Sequence, residues 1–153
     1  MILKGKNIVI TGSEGLLGKA IVSDIKKEGG IAICLDISHE TAPESHKFKV
    51  DLTDQVQTEN CIREIINTYR IIDGLVNNAY PRTKDWGTKM EGVTLSSFRQ
   101  NIDWQLNSVF HLIQLLSIHM KEINQGSVVN IASVYGIVGN DFTVYESTNM
   151  TSP

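Results

Sequence analysis

Short aliphatic runs alternate along this sequence with stretches in which apolar residues recur every three or four positions. Near-continuous aliphatic runs are typical of strands buried on both faces, and they occur at residues 7–11, 31–35, 46–50, 72–76 and 127–132. The helical spacing predicts helices from Leu16 to the pair Gly29 and Gly30, from residue 53 or 54 to about 69, and from 96 or 97 to about 123. This order predicts an α/β fold, a doubly wound parallel sheet of about five strands with helices on both faces.

The C-terminal stretch differs from the rest, because residues 133–153 are predicted to form a polar, glycine-containing loop. No helix follows the last predicted strand, so we expect a single domain over residues 1–153 that is incomplete at its C-terminus. The long helix 96–123 is predicted to carry these residues on one side: Leu106, Phe110, Ile113, Leu116 and Met120. An apolar face left exposed over residues 106–120 predicts self-association, and we expect a homo-oligomer formed through this helix.

Composition narrows the range of partners. The 153 residues are 41% hydrophobic with a formal net charge of −3, which argues against nucleic acid or an anionic membrane as a partner. No apolar run reaches the roughly 20 residues of a transmembrane helix, and the first residues show no secretory signal. Cys34 and Cys61 are predicted to be buried free thiols, and His111 and His119 lack a third ligand, so no metal site is expected. We therefore expect a soluble, cytoplasmic protein.

The segment from Thr11 to Gly18, Thr-Gly-Ser-Glu-Gly-Leu-Leu-Gly, joins the first predicted strand to the first helix. Gly12 allows a tight turn, Gly15 lets the backbone approach a pyrophosphate, and Gly18 allows close packing of helix on strand. The helix N-terminus adds N–H groups and a partial positive charge. A mononucleotide P-loop is excluded, because five residues separate Gly12 from Gly18 and Ala20 replaces the magnesium-binding hydroxyl. The alternative is an ordinary glycine-rich turn.

Asp36 stands at the carboxyl end of the second predicted strand, 18 residues after Gly18. A carboxylate there can accept hydrogen bonds from both hydroxyls of an adenosine ribose, and its charge would repel a 2′-phosphate. No arginine or lysine lies between residues 28 and 46 to attract such a phosphate, so NAD is predicted as the cofactor rather than NADP. The alternative is a loop acid that caps Ser38 or its neighbours.

Two asparagine-containing motifs follow the fourth and fifth predicted strands, Asn77-Asn78-Ala79 and Asn130-Ile131-Ala132-Ser133. Together with the glycine turn and Asp36, their order over essentially the whole chain resembles the short-chain dehydrogenase/reductase family. The resemblance implies an NAD(P)-binding Rossmann fold. It implies these cofactor contacts: Gly12, Gly15, Leu16, Leu17 and Gly18 at the pyrophosphate, Asp36 at the adenosine ribose, Asp51 and Leu52 at the adenine, and Asn78 and Ala79 beneath the cofactor.

The resemblance also implies two residues at the reacting end of the site. Asn107 matches the asparagine that orders a proton-relay water, and Ser133 matches the serine that positions the substrate. Each has an alternative role, since Asn107 can bond to helix backbone and Ser133 can close a turn at the end of a strand.

Three departures from the family pattern bear on function. The glycine spacing resembles the extended branch that handles nucleotide sugars, and Tyr80 replaces the glycine that usually follows Asn-Asn-Ala. The catalytic tyrosine of the family needs a lysine four residues later to lower its pKa, but Tyr145 is followed at that distance by Asn149. The stretch 145–153 resembles an insertion in members tied to polysaccharide or flagellin modification, in which the Tyr-x-x-x-Lys helix comes shortly after the proline. The chain is therefore interpreted as an amino-terminal fragment.

The resemblance implies an NAD-dependent oxidoreductase that interconverts an alcohol and a carbonyl on a small, sugar-like molecule. Without the tyrosine–lysine pair, this chain is expected to be inactive alone. Two alternatives stay open: a non-catalytic dinucleotide-binding module whose loop after Ser133 serves a partner protein, and a nucleotide-sugar epimerase or dehydratase of the extended branch.

Overall fold

The computed structural model describes residues 1–139 and 141–147 of the chain. Its strands are β1 (Asn7–Thr11), β2 (Ile31–Asp36), β3 (Lys47–Lys49), β4 (Gly74–Asn77) and β5 (Ser127–Asn130). Its helices are α1 (Leu16–Lys27), α2 (Gln55–Tyr69), α3 (Leu95–Ile102) and α4 (Ser108–Glu122). A π-helical turn, Asp103–Asn107, joins α3 to α4.

The strands form a parallel sheet of five strands in the order β3-β2-β1-β4-β5. This arrangement confirms the predicted α/β fold with a doubly wound parallel sheet. The chain runs outward from β1 to β3 and then outward on the other side through β4 to β5, so the direction switches between β1 and β4. Because the carboxyl ends of parallel strands meet at one edge, the segments that follow β1, β2 and β4 lie together there.

Alternate residues of the central strands enter two apolar cores, one on each face of the sheet. Val9 and Ile33 pack in the core built with α2 and α4, whereas Ile10 and Ala32 pack with Ile25 of α1. These near-continuous aliphatic strands are buried on both faces, as the sequence pattern predicts. Within the described residues, no helix combines the length and apolar character needed to cross a bilayer.

The two cysteines are buried and free, as predicted. Cys34 lies in the core that contains α1, and Cys61 lies in the core that contains α2. Burial raises the pKa of the Cys61 thiol to about 12, so this side chain packs as a neutral apolar group at physiological pH.

Several strands begin or end at residues other than those that the hydrophobic pattern of the sequence predicts. The run 72–76 becomes a strand only from Gly74, and at its start the Ile72 amide donates to His119 Nε2 instead of to a neighbouring strand. β3 is shorter than predicted, at Lys47–Lys49, and β5 ends at Asn130 rather than at 132. The predicted loop after 133 contains two short 3-10 turns, Val134–Gly136 and Phe142–Tyr145.

The long helix predicted over 96–123 is interrupted, and its expected exposed apolar face over 106–120 is partly wrong, because Leu116 and Met120 are buried. It begins at Leu95, because the Thr94 hydroxyl accepts from the Ser97 amide and caps the first turn. The π turn winds more residues into one turn and shifts the phase of the helix that follows. Leu106 and Phe110 are consequently exposed, at 61% and 63%. The buried positions of α4 are Ser108, Leu112, Leu116, His119 and Met120.

Replacement of Leu116 by alanine should lower the free energy of unfolding by about 2–5 kcal/mol, because this α4 side chain is fully buried in the core that α4 forms with α2 and the sheet. The matched control is Ile118→Ala on the same helix, where the side chain is 56% exposed and a change within about 0.5 kcal/mol is expected. Urea unfolding followed by circular dichroism measures both variants. Equal losses at the two positions would contradict the assigned helix face.

Candidate functional site

The glycine-rich turn after β1 lies against the ends of the neighbouring strands. The Gly12 amide donates to the Leu35 carbonyl of β2 over 2.8 Å, and the φ angle of Gly12 is +63°, in the left-handed region that favours glycine. A Cβ at Gly12 would stand 2.9 Å from Ala79 Cα, and one at Gly18 would stand 2.8 Å from Ser13 Cα. Gly12 and Gly18 are therefore required by the packing of the turn itself.

Gly15 has a different environment, which fits a bound phosphate. A Cβ on Gly15 would meet only the Gly12 carbonyl oxygen, at 3.2 Å, and would otherwise fill the groove. Gly15 is also the N-cap of α1, and no side chain there bonds to the first helical amides. Amides at a helix N-terminus bind anions, so the turn leaves space for a pyrophosphate at Gly15 and donors at Leu16 and Leu17, whereas the Gly15 amide itself donates to the Gly12 carbonyl over 3.1 Å. These residues line a groove of about 780 Å³.

The motif after β4 ties this turn to the switch point of the sheet. The hydroxyl oxygen of Thr11 accepts from the amides of Asn78 and Ala79, at 3.0 and 2.9 Å. The Asn78 side-chain amide donates in turn to the carbonyls of Thr11 and Gly12, each at 3.0 Å. Asn78 and Ala79 are thus held beside Gly12 on the wall of the groove, where the sequence predicts the underside of a cofactor.

The carboxylate of Asp36 lies at the carboxyl end of β2 and faces the same groove. Its Oδ1 accepts from the amide and hydroxyl of Ser38, at 3.0 and 2.7 Å, and its Oδ2 accepts from the Glu14 amide at 2.9 Å. Burial opposes ionisation, but the hydrogen bonds from Ser38 and Glu14 outweigh it and hold the pKa of Asp36 below its usual value. Asp36 therefore caps Ser38, which is the alternative role raised from the sequence, and it also faces the groove.

A second cavity of about 380 Å³ continues the groove beyond Asp36. It is lined by Ile37 and by the two residues predicted at the adenine, Asp51 and Leu52. Asp51 is turned back on its own loop, because its Oδ1 accepts from the amide and hydroxyl of Thr53 at 2.9 and 2.7 Å. An apolar wall with a polar rim suits a flat aromatic base.

Three wall residues of the groove escape prediction from local motifs. Tyr80, the departure from the usual glycine, packs edge-on against Trp86 with 5.5 Å between the ring centroids and lines both cavities. Arg82 lines both cavities as well, and Trp104 reaches the second cavity from the π turn. The signal available for Tyr80 and Arg82 is their position just after Asn-Asn-Ala, whereas Trp104 is brought in only by tertiary structure.

The residues predicted at the reacting end are engaged with their neighbours. Asn107 lies in the π turn, and its side-chain amide donates to the Asp103 carboxylate over 2.8 Å. Ser133 is exposed and caps a short turn by accepting from the Tyr135 amide at 3.2 Å, the alternative role foreseen for it. Tyr145 donates its hydroxyl proton to the Tyr135 hydroxyl over 3.0 Å, and this bond raises the pKa of the Tyr145 phenol. Asn149 lies outside the described residues.

A profile described as short chain dehydrogenase matches residues 6–149 of the chain. The chain belongs to the short-chain dehydrogenase family. It is 28% identical over 163 residues to post-translational flagellin modification protein A of Campylobacter coli, covering 98% of this chain and 64% of that relative. It is 30% identical over 155 residues to 3-oxoacyl-[acyl-carrier-protein] reductase FabG of Thermotoga maritima, covering 92% of this chain and 60% of the relative. The chain thus spans less than two thirds of the length of these relatives.

Solved structures agree with this family membership. A short chain dehydrogenase from Leptospira borgpetersenii with bound NAD+ matches with a TM-score of 0.81 at 25% identity, covering 96% of this chain and 59% of that one. That neighbour binds NAD+, and the related proteins are dehydrogenases and reductases. The resemblance identified from the glycine turn, Asp36 and the two asparagine motifs is confirmed.

Proposed function

We propose that the protein is an NAD-dependent oxidoreductase that interconverts an alcohol and a carbonyl on a small, sugar-like molecule. The observation that carries the proposal is the position of Asp36, a charged carboxylate on the groove wall beside the glycine turn. A carboxylate at this point accepts hydrogen bonds from ribose hydroxyls of an adenosine. NAD, when bound, supplies or accepts a hydride. The relatives include sorbitol-6-phosphate 2-dehydrogenase of Klebsiella pneumoniae, which supports a sugar-like substrate.

The side chains and amides along the groove divide among the parts of the cofactor. The adenosine end is held by Asp36 at the ribose and by the wall of the smaller cavity at the adenine. The turn holds the pyrophosphate through backbone amides, because α1 begins there without a side-chain cap. The proposed contacts are Gly12, Gly15, Leu16, Leu17 and Gly18 at the pyrophosphate, Asp51 and Leu52 at the adenine, and Asn78 and Ala79 beneath the cofactor.

The charges around Asp36 favour NAD over NADP. The lowered pKa keeps Asp36 ionised at neutral pH, where it repels a 2′-phosphate. The two nearest lysines on the turn side, Lys19 and Lys47, pair with the Glu14 carboxylate at 3.3 and 3.7 Å. Their charges are thereby offset on that side of the groove. Arg82 also lines both cavities, so the preference for NAD rests on the ionised carboxylate of Asp36.

The protein should bind NAD+ at least about tenfold more tightly than NADP+, and Asp36→Asn should weaken NAD+ about tenfold and reduce that preference. The physical reason is the loss of a charged acceptor for the ribose hydroxyls. Isothermal titration calorimetry measures the four dissociation constants. The control is Asp24→Asn, an exposed carboxylate on α1, which should leave both constants unchanged. Tighter binding of NADP+ by the unmodified protein would refute the cofactor assignment.

The reacting half of the site is proposed to need residues beyond position 153. Proton exchange with an alcohol requires a tyrosine of lowered pKa, whereas the bond to Tyr135 raises the pKa of Tyr145 and position 149 is an asparagine. We propose that Asn107 orders the proton-relay water and that Ser133 positions the substrate. A tyrosine and lysine four residues apart would come from a following segment.

The intact mass of the protein from its native source should therefore exceed 17.0 kDa, and the added residues should contain that tyrosine–lysine pair. The longer protein should change nicotinamide absorbance with alcohols or ketones, and replacement of its lysine should abolish turnover. Mass spectrometry and a spectrophotometric assay check both points. A mass of 17.0 kDa with NAD+ binding but no turnover would instead support the non-catalytic dinucleotide-binding module.

The protein is also proposed to form a homo-oligomer through the segment 96–123. Apolar side chains recur every three or four residues along α3, the π turn and the start of α4, and each is 44–64% exposed: Leu95, Phe98, Ile102, Leu106 and Phe110. A contiguous apolar stripe of this kind favours burial against a second copy.

A cytoplasmic location is proposed separately, because free thiols persist in reducing compartments.

The double substitution of Phe98 and Phe110 by glutamate should convert the oligomer to a monomer, because charges would interrupt the stripe. Size-exclusion chromatography with light scattering gives the mass of each species. Val56→Glu, a comparably exposed apolar site on α2, should leave the oligomer intact. A monomeric unmodified protein would contradict the assignment.

A further inference from the structure

A buried imidazole lies behind the ribose end of the groove and has no part in the contacts proposed so far. His39 follows β2 and is 5% exposed, and its Nε2 lies 2.9 Å from the hydroxyl of Ser13 in the glycine turn. Ser13 is itself 3% exposed. Buried polar side chains destabilise the fold unless they form hydrogen bonds, and this bond satisfies both groups. The Ser13 hydroxyl also lies 3.5 Å from the Leu35 carbonyl oxygen, so both contacts link the turn to the strand.

The bond joins backbone contacts that already fasten the turn to β2. The amides of Gly12 and Ser13 both donate to the Leu35 carbonyl, at 2.8 and 3.4 Å. The Glu14 amide donates to Asp36 Oδ2 at 2.9 Å. The His39 side chain adds a hydrogen bond to Ser13, next to the bond from the Glu14 amide to Asp36. Asp36 is the carboxylate proposed to bind the ribose.

The second ring nitrogen extends this link across one peptide unit. His39 Nδ1 lies 3.6 Å from the Glu14 carboxylate, so the ring contacts the side chains of both Ser13 and Glu14. The amide between those two residues is the donor to Asp36. The Glu14 carboxylate also forms ion pairs with Lys19 and Lys47, which further restrain this residue.

We propose that His39 is a positioning residue for the adenosine ribose of the cofactor. By holding the Ser13–Glu14 peptide, it keeps the Glu14 amide aimed at Asp36 Oδ2, while Ser38 fixes the other oxygen. The Asp36 carboxylate is thereby presented in one orientation to the ribose hydroxyls. The inference rests on the proposed function, because it concerns how Asp36 recognises that ribose.

A hydrolytic role for the same residues fails on access. Ser13, His39 and Glu14 follow the order of a serine, histidine and acid triad, but such a nucleophile must reach a substrate carbonyl. The serine hydroxyl is buried and faces the imidazole beneath the turn. The chemistry available to this cluster is therefore orientation of the turn.

The test compares NAD+ with its analogue that lacks the 2′-hydroxyl of the adenosine ribose, by isothermal titration calorimetry on the purified protein. The unmodified protein should prefer NAD+ about tenfold, because a hydroxyl donates to the charged Asp36. His39→Phe keeps the ring volume but loses the bond to Ser13, and it should reduce that preference to about twofold. His39→Gln places an amide nitrogen near the original Nε2 and should restore most of it.

The matched control is His119→Gln, a second buried histidine, which accepts from the Ile72 amide away from the groove. It should lower the unfolding temperature without changing the preference for NAD+ over the analogue. A folded His39→Phe variant with the unmodified preference would overturn the positioning role alone. Equal affinity of the unmodified protein for both compounds, or no binding, would overturn the ribose role of Asp36 and the inference with it.

Discussion

The arrangement of the site depends on how closely the turn after β1 approaches the ends of its two neighbouring strands. On one side the Gly12 amide bonds to the Leu35 carbonyl, and on the other side Ala79 Cα lies where a Cβ of Gly12 would stand. Two hydrogen bonds join the segments at this contact. The Asn78 backbone amide donates to the Thr11 hydroxyl oxygen, and the Asn78 side-chain amide donates to the Thr11 carbonyl. Because three strand ends meet within these few bonds, the groove walls, the start of α1 and the position of Asp36 are all set together.

Much of this centre could be predicted from sequence because each part has a local cause. Gly12 is required by the left-handed turn, and Gly18 is required by the packing of helix on strand. The position of Asp36 at the end of β2 can be predicted from the length of the aliphatic run. The contacts between residues distant along the chain are different. His39, bonded to Ser13, and Trp104, in the second cavity, have no motif around them, since only the folded chain brings those segments together.

The helix between β4 and β5 explains where periodicity stops being reliable. Constant helical spacing predicts one exposed apolar face from Leu106 to Met120, but the π turn changes the phase between α3 and α4. The inner face of α4 is therefore set by Leu112 and Leu116, and the displaced apolar residues lie on the outside. The prediction of an exposed apolar face thus survives with altered membership.

The residues predicted to bind a cofactor and those predicted to react differ in how their polar groups are arranged. Around Asp36 the groups converge on the groove, and three donors hold the carboxylate. Asn107 instead bonds to Asp103, and Tyr145 bonds to Tyr135 in a way that raises the pKa of Tyr145. A phenol that is to exchange a proton at neutral pH needs a neighbouring cation that lowers its pKa. We infer that the described residues form the binding half of the site, and that proton transfer depends on a cation supplied outside them.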